Sequence, residues 1–162
     1  MSRVLLLLKN LLFTVVVPGT VAVYVPLLLG SARDAPSTLS LLAGGVVLAT
    51  GALVYAWCVW DFATFGRGTP APIDAPKRLV VRGLYRVTRN PMYVGVLSVI
   101  LGWAIVFRSL TLLLYAAAIW CLFHSFVRLY EEPHLRRVFG AQYDAYCEHV
   151  GRWLPRPVRR MP

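Results

Sequence analysis

Acidic side chains are scarce in this chain: 7 Asp and Glu stand against 17 Lys and Arg, for a net charge of +10. Cysteine is scarcer still. Cys58, Cys121 and Cys147 make an odd number, two of them inside apolar stretches, with neither metal-ligand spacing nor a disulfide framework. No internal repeat and no low-complexity tract is present. The most telling absence is of charge itself. Residues 11–30, 39–60, 90–107 and 109–127 contain no Lys, Arg, Asp or Glu. A membrane span needs roughly 17–25 apolar residues, so all four stretches qualify, the third barely. With 58% hydrophobic residues and a mean hydropathy of +0.63, a soluble globular domain is not the expected class.

The positive charge is placed unevenly. Arg67, Lys77, Arg78, Arg82, Arg86 and Arg89 lie between the second and third apolar stretches, against Asp74 alone. Arg136, Arg137, Arg152, Arg156, Arg159 and Arg160 follow the fourth stretch, whereas the alternate connections carry only Arg33, beside Asp34, and Arg108. The positive-inside rule then predicts that both termini and the central loop are cytosolic. These basic residues flank spans, so the expected contact is with lipid headgroups, and no nucleic-acid partner is expected. Arg3 and the Leu5–Leu8 run resemble a signal peptide, but Lys9 and Asn10 interrupt it and no small-residue cleavage site follows. The expectation is an uncleaved first span.

These patterns predict an all-α, polytopic membrane helix bundle, one domain over residues 1–162. About four transmembrane helices are expected, over residues 4–30, 39–61, 91–107 and 109–130. A cytosolic loop spans 62–90 and a cytosolic helical tail 131–162. Pro18-Gly19 predicts a kink in the first span, either wrapping a cavity or merely tolerated. Gly44, Gly45, Thr50 and Gly51 suit close helix packing, with close approach to a cofactor as the alternative. Closely spaced prolines exclude a regular helix from the start of the loop. Its second half, 77–86, is expected on the membrane surface with aliphatic residues down. The tail fits one or two amphipathic helices broken near Gly140. Asp61 is expected to pair with an arginine of the adjacent loop.

Two polar motifs stand at the ends of the last two apolar stretches. Arg89-Asn90-Pro91-Met92-Tyr93-Val94-Gly95 opens the third, and Arg128-Leu129-Tyr130-Glu131-Glu132-Pro133 closes the fourth. A hairpin of two spans returns them to one membrane face. Asn90 precedes a proline and so leaves helical geometry, while Pro suits a first helical turn; a helix starting at Pro91 with Asn90 as N-cap is expected. Such an N-terminus is a natural seat for a carboxylate. His124, Arg128, Glu131 and Glu132 fall at i, i+4, i+7 and i+8, one face of an ideal helix. A snorkelling Arg128 with solvated glutamates is the ordinary reading of such a helix end. The matching motif across the hairpin argues instead for a site.

The run 79–95, then Glu131-Glu132 and Phe139-Gly140-Ala141-Gln142-Tyr143-Asp144-Ala145-Tyr146, resembles the isoprenylcysteine carboxyl methyltransferase family. Asn90-Pro91-Met92-Tyr93, with Leu101-Gly102-Trp103-Ala104-Ile105 and Tyr130-Glu131-Glu132-Pro133, also resembles phosphatidylethanolamine N-methyltransferase. The similarity covers about residues 66–154. It implies an integral-membrane methyltransferase that uses S-adenosylmethionine in a cytosol-facing pocket. It implies cofactor contacts from Lys77, Arg78, Leu79, Val80, Tyr85, Asn90, Pro91, Met92, Tyr93, Glu131 and Glu132. Arg128 is the nearest counterpart of a substrate arginine, offset by one position. Asn90 and Lys77 stand where the eukaryotic carboxyl methyltransferases have histidine, which separates the acceptor question from the cofactor question.

The resemblance implies methyl transfer to a lipophilic acceptor, a prenylcysteine carboxylate or a phospholipid amine, entering laterally from the bilayer. No catalytic residue is assigned: a carboxylate acceptor needs no base, and for an amine Glu131, Glu132 or His124 could take the proton. No metal is expected, and the oligomeric state is not legible. The competing readings are an NADPH-dependent membrane reductase of sterol-reductase type and a non-catalytic membrane scaffold.

Overall fold

The computed structural model describes residue 12 and residues 14–30, 36–66 and 78–156. Over these residues the chain is helical, with no strand and one isolated bridge, Thr88 to Gly151. Helix α1 runs over Thr14–Leu29. Helix α2 spans Thr38–Asp61 and continues as a π-helical stretch, Phe62–Gly66. A 3-10 turn, Gly83–Arg86, precedes α3, Pro91–Val106. Helix α4 covers Leu110–Phe126 and runs through a π-helical stretch, Val127–Glu131, into α5, Glu132–Phe139. Helix α6, Ala141–His149, follows the turn at Gly140.

Two helices, Thr38–Phe65 and Leu110–Phe139, are long and apolar enough to cross a membrane. Leu42, Val46, Leu53 and Trp57 on α2, and Leu114 and Leu122 on α4, are exposed along their length. A core helix of a soluble protein would bury such side chains; these suit lipid. Helices α1, as described, and α3 are apolar but shorter. At 1.5 Å per residue, the 16 residues of α3 rise about 24 Å. That falls short of a hydrocarbon core of about 30 Å.

Glycine sets the packing of α2 on α3. A Cβ on Gly51 would lie 2.7 Å from the Gly95 carbonyl oxygen, and one on Gly44 would lie 2.8 Å from that of Gly102. As the number rises on α2 it falls on α3, so the helices are antiparallel. The seven-residue interval keeps both contacts on one face. Backbones approach this closely only where side chains are absent, the usual basis of helix association in lipid. Of the three α2 glycines expected to pack, Gly45 does not, because nothing lies within 4 Å of its Cβ position.

Local sequence starts the helices. Ser37 and Ser109 cap α2 and α4, accepting from the N–H groups of Ser40 and Leu112 at 3.1 and 3.3 Å. Asn90 stands at the N-cap position of α3, which starts at Pro91 as expected, but its side chain makes no capping hydrogen bond. Its amide is used in a tertiary contact described below.

The irregularity of α1 is also displaced from its expected place. Instead of centring on Pro18-Gly19, it is a π-helical stretch over Thr20–Tyr24, closed by the Val25 N–H donating to the Thr20 carbonyl. Pro26 follows immediately. The π stretch Val127–Glu131 has the same arrangement, with the Glu132 N–H on the Val127 carbonyl and Pro133 next. Proline brings no N–H to the ladder, so the helix widens just before it. Tyr115 of α4 donates to the Val21 carbonyl at 2.9 Å, tying the first widened stretch to the bundle.

The aliphatic side chains of the segment 78–90 divide: Val81 and Val87 are exposed, whereas others turn into the protein. Val80 is buried with Cys58 and Tyr85, and Leu79 packs on the cluster of Tyr143, Tyr146 and Val150. The protein thus supplies the apolar surface for these two side chains. The tail follows the expected pattern: two short helices broken at Gly140, whose φ of 51° suits glycine.

Candidate active site

The end of α2, the start of α3 and the end of α4 meet at one end of the bundle. The segment 78–90 is pinned there by Asp61. Asp61 is buried and pairs with the Arg82 Nε at 3.3 Å, the loop-arginine partner expected from the sequence. Gly83, at φ 54°, lies against the same carboxylate; a Cβ there would sit 2.5 Å from Asp61 Oδ2. Tyr85 stacks edge-on against Phe62 at 5.6 Å. Its carbonyl accepts from the Tyr146 hydroxyl at 2.7 Å, which fastens α6 to the segment. Burial pushes the Tyr85 and Tyr146 phenols up, so both stay neutral donors at any physiological pH.

The two glutamates of Glu131-Glu132 do different work. The Tyr93 hydroxyl donates to Glu131 Oε2 at 3.0 Å, across the α3–α4 hairpin. Glu132 instead accepts from Arg152, Nε to Oε1 at 2.6 Å and Nη2 to Oε2 at 2.9 Å, and lies 3.3 Å from Arg89 Nη1. This is a bidentate, charge-assisted pair with a second guanidinium beside it. The Glu132 carboxylate also holds Arg152 above the ordinary arginine value.

The residues after α6 form a strap over the start of α3. Arg89 N–H donates to the Gly151 carbonyl at 2.9 Å. The Arg152 carbonyl accepts from the Thr88 hydroxyl at 3.0 Å and from Asn90 Nδ2 at 2.9 Å. Trp153 follows, its ring 6.5 Å from Tyr93 and 6.2 Å from His124. Tyr93 also rests on Phe123 at 4.6 Å. The result is an aromatic enclosure beside a carboxylate, at the N-terminus of an apolar helix that no side chain caps.

Of the expected cofactor residues, Tyr93 and Glu131 meet directly. Asn90, Pro91 and Glu132 are buried around them, and Met92 joins the Tyr85 cluster with Val80. Leu79 is half-buried under the tail; Arg78 is exposed. Lys77 lies outside the described residues. The predicted single charged face of the fourth helix is not formed: Arg128 is exposed while Glu132 is buried. The π stretch between them widens the helix and breaks the ideal spacing. Sequence reasoning missed the strap. Arg152 and Trp153 lie some 60 residues from Asn90, and nothing local links them.

Residues 39–142 match the sequence profile of the family described as phospholipid methyltransferase. Among curated proteins, protein-S-isoprenylcysteine O-methyltransferase B of Arabidopsis thaliana is 30% identical over 79 residues, 48% of this chain and 40% of that one. A probable protein-S-isoprenylcysteine O-methyltransferase of Oryza sativa subsp. indica is 32% identical over 79 residues, 48% of this chain and 41% of that one. Protein-S-isoprenylcysteine O-methyltransferase A of Arabidopsis thaliana is 33% identical over 78 residues, 48% of this chain and 39% of that one. The match thus spans about two fifths of these relatives' own length. No solved structure matches the chain. The profile covers well over half of the sequence, from α2 to the start of α6 and including both polar motifs, and on that extent the chain belongs to the phospholipid methyltransferase family.

Proposed function

We propose that this protein transfers a methyl group from S-adenosylmethionine to a lipophilic acceptor at the membrane–water boundary. The observation that carries the reading is the Tyr93–Glu131 contact, enclosed by Phe123 and Trp153, at the end of an apolar bundle. A donor with a cationic sulfonium, an amine, a carboxylate and ribose hydroxyls finds complementary groups there. Glu131 suits an amine or hydroxyls, the aromatic faces suit a cation, and the uncapped start of α3 suits a carboxylate. When bound, S-adenosylmethionine supplies an electrophilic methyl group.

The chain's own part is orientation and exclusion of water. Trp153 and the strap close one side of the site, and the α3–α4 hairpin closes another. Arg78, Leu79, Val80, Tyr85 and Met92 flank the cofactor in this reading, with Lys77, and Arg128 faces the acceptor. Glu132 is engaged by two arginines and acts as the anchor of the strap, so it is not the base for an amine acceptor. The acceptor is a prenylcysteine carboxylate or a phospholipid amine. We assign four spans with both termini and the site on the cytosolic face, following the basic residues on that side.

The test is binding of labelled S-adenosylmethionine by the purified chain in lipid nanodiscs. Wild type should bind, and Glu131→Ala and Asn90→Ala should lose binding. Unchanged binding in both variants would sink the site. No binding by the wild type, with NADPH bound instead, would turn the assignment to a reductase. Incubating membranes with methyl-labelled donor and identifying the labelled lipid would then name the acceptor.

A further inference from the structure

His124 lies on α4 two helical turns before Glu131, and Trp153 of the strap reaches it. The indole Nε1 donates to His124 Nδ1 at 3.1 Å, with the rings inclined by 23°. An indole N–H can only donate, so Nδ1 is the acceptor and the imidazole proton sits on Nε2. That N–H has no protein partner among the described residues. The His124 ring also lies 5.3 Å from Trp120. Trp120 lines an open apolar groove of about 270 Å³ between α3 and α4, with Leu97, Leu101, Leu113, Ala116 and Ala117. Tyr93, Leu97 and Leu101 share one face of α3 at intervals of four. His124 therefore stands where the apolar groove gives way to the Tyr93–Glu131 pair.

We propose that Trp153 holds His124 as an Nε2–H donor at this junction, and that the donor binds an anionic oxygen of the methyl acceptor, carboxylate or phosphate, while the acceptor's chain lies along the groove. This rests on the methyltransferase reading and narrows it. It also removes His124 from the candidate bases, because its lone pair is already engaged. An amphiphile entering from the bilayer places its chain and its headgroup on opposite sides of such a junction. A single N–H there selects for an oxygen acceptor over an ammonium group. His124 is a positioning and specificity residue in this scheme, and Trp153 orients it.

The experiment uses the full chain in neutral-lipid nanodiscs. Three probes are compared: an S-prenylated cysteine with a free carboxylate, its carboxamide, and a single-chain lysophosphatidic acid. Nitrogen NMR of labelled histidine reads the tautomer and the Nε2 signal. In wild type His124 should show one pyrrole-type nitrogen, and that signal should move further with the carboxylate or the phosphate probe than with the carboxamide, whose neutral carbonyl is the weaker acceptor. The arm that moves it identifies the oxygen. Trp153→Phe should release Nδ1 and give a mixture of tautomers. His124→Phe should weaken the anionic probe about tenfold, the worth of one hydrogen bond to a charged group. His124→Gln, which restores an N–H near Nε2, should recover most of that.

Equal weakening in His124→Phe and His124→Gln, or no response of Nε2 to either anionic probe, overturns the proposal. Labelled S-adenosylmethionine is measured alongside and should bind wild type, His124→Phe and His124→Gln alike. Its failure to bind wild type would remove the methyltransferase reading, whereas normal donor binding with a silent Nε2 would remove only the role of His124.

Discussion

Arg152 grips Glu132 with two parallel hydrogen bonds, 2.6 and 2.9 Å long, across 20 residues of chain. Glu132 is 5% exposed and opens α5, where the long apolar run from Leu110 passes into the polar tail. A buried carboxylate at such a place is costly unless paired, and its pairing fixes the strap.

Arg152→Ala should therefore lower stability by about 2–3 kcal/mol, since it leaves Glu132 with Arg89 alone. Glu132→Gln should cost a similar amount, and the double variant less than the sum. Thermal unfolding in detergent gives the energies, and limited proteolysis after His149 reports release of the strap. Strictly additive losses would show that the pair is not an energetic unit.

Tyr93→Phe removes the hydroxyl bonded to Glu131 but keeps the ring against Phe123. Methyl-donor affinity should fall about tenfold, the worth of one hydrogen bond to a charged group, with little change in stability. Equilibrium binding of labelled donor measures the first and thermal unfolding the second. Wild-type affinity in Tyr93→Phe would remove this phenol from the site.

Gly51→Ala should destabilise the α2–α3 pair by about 1–3 kcal/mol, because the added methyl meets the Gly95 backbone. Gly45→Ala meets open space and should be neutral or raise stability by up to about 1 kcal/mol through helix propensity. Unfolding of both variants in one detergent decides it. A Gly51→Ala protein as stable as Gly45→Ala would contradict the close approach.

Alkali should loosen the tail. Burial raises the phenols of Tyr85, Tyr143 and Tyr146 above the ordinary value of 10.0. Above that pH the unfolded chain loses protons that the folded chain keeps. Their contribution is thus complete below pH 10 and declines as pH rises further. The slope is about 1.4 kcal/mol per pH unit for each phenol. Phenolate absorbance should show these groups ionising only as the far-ultraviolet circular dichroism falls. Full ionisation near pH 10 with the fold intact would refute the burial argument.

Apolar runs, flanking charge and prolines make the helices legible in the amino-acid sequence itself. The uncharged stretches place α2, α3 and α4 within a few residues, since period and flanking charge are local properties. Gly140 marks the break in the tail for the same reason, and Asp61 requires a loop arginine and has Arg82. Asn90 and Tyr93 can be matched with Glu131 because a hairpin of two similar runs must return to its starting face.

The tertiary structure decided what each polar group does. Ideal helical spacing puts Arg128 and Glu132 on one face, but the missing N–H of Pro133 widens the helix and separates them. Asn90 suits a cap by its type, yet its amide goes to the Arg152 carbonyl. The strap gives the reason: its carbonyl needs buried donors, and residues far away in sequence supply them. Residue types and local spacing thus determined the membrane helices and the two motifs. The division of labour between Glu131 and Glu132, and the reach of Trp153 to His124, come only from long-range contacts, which no local pattern encodes.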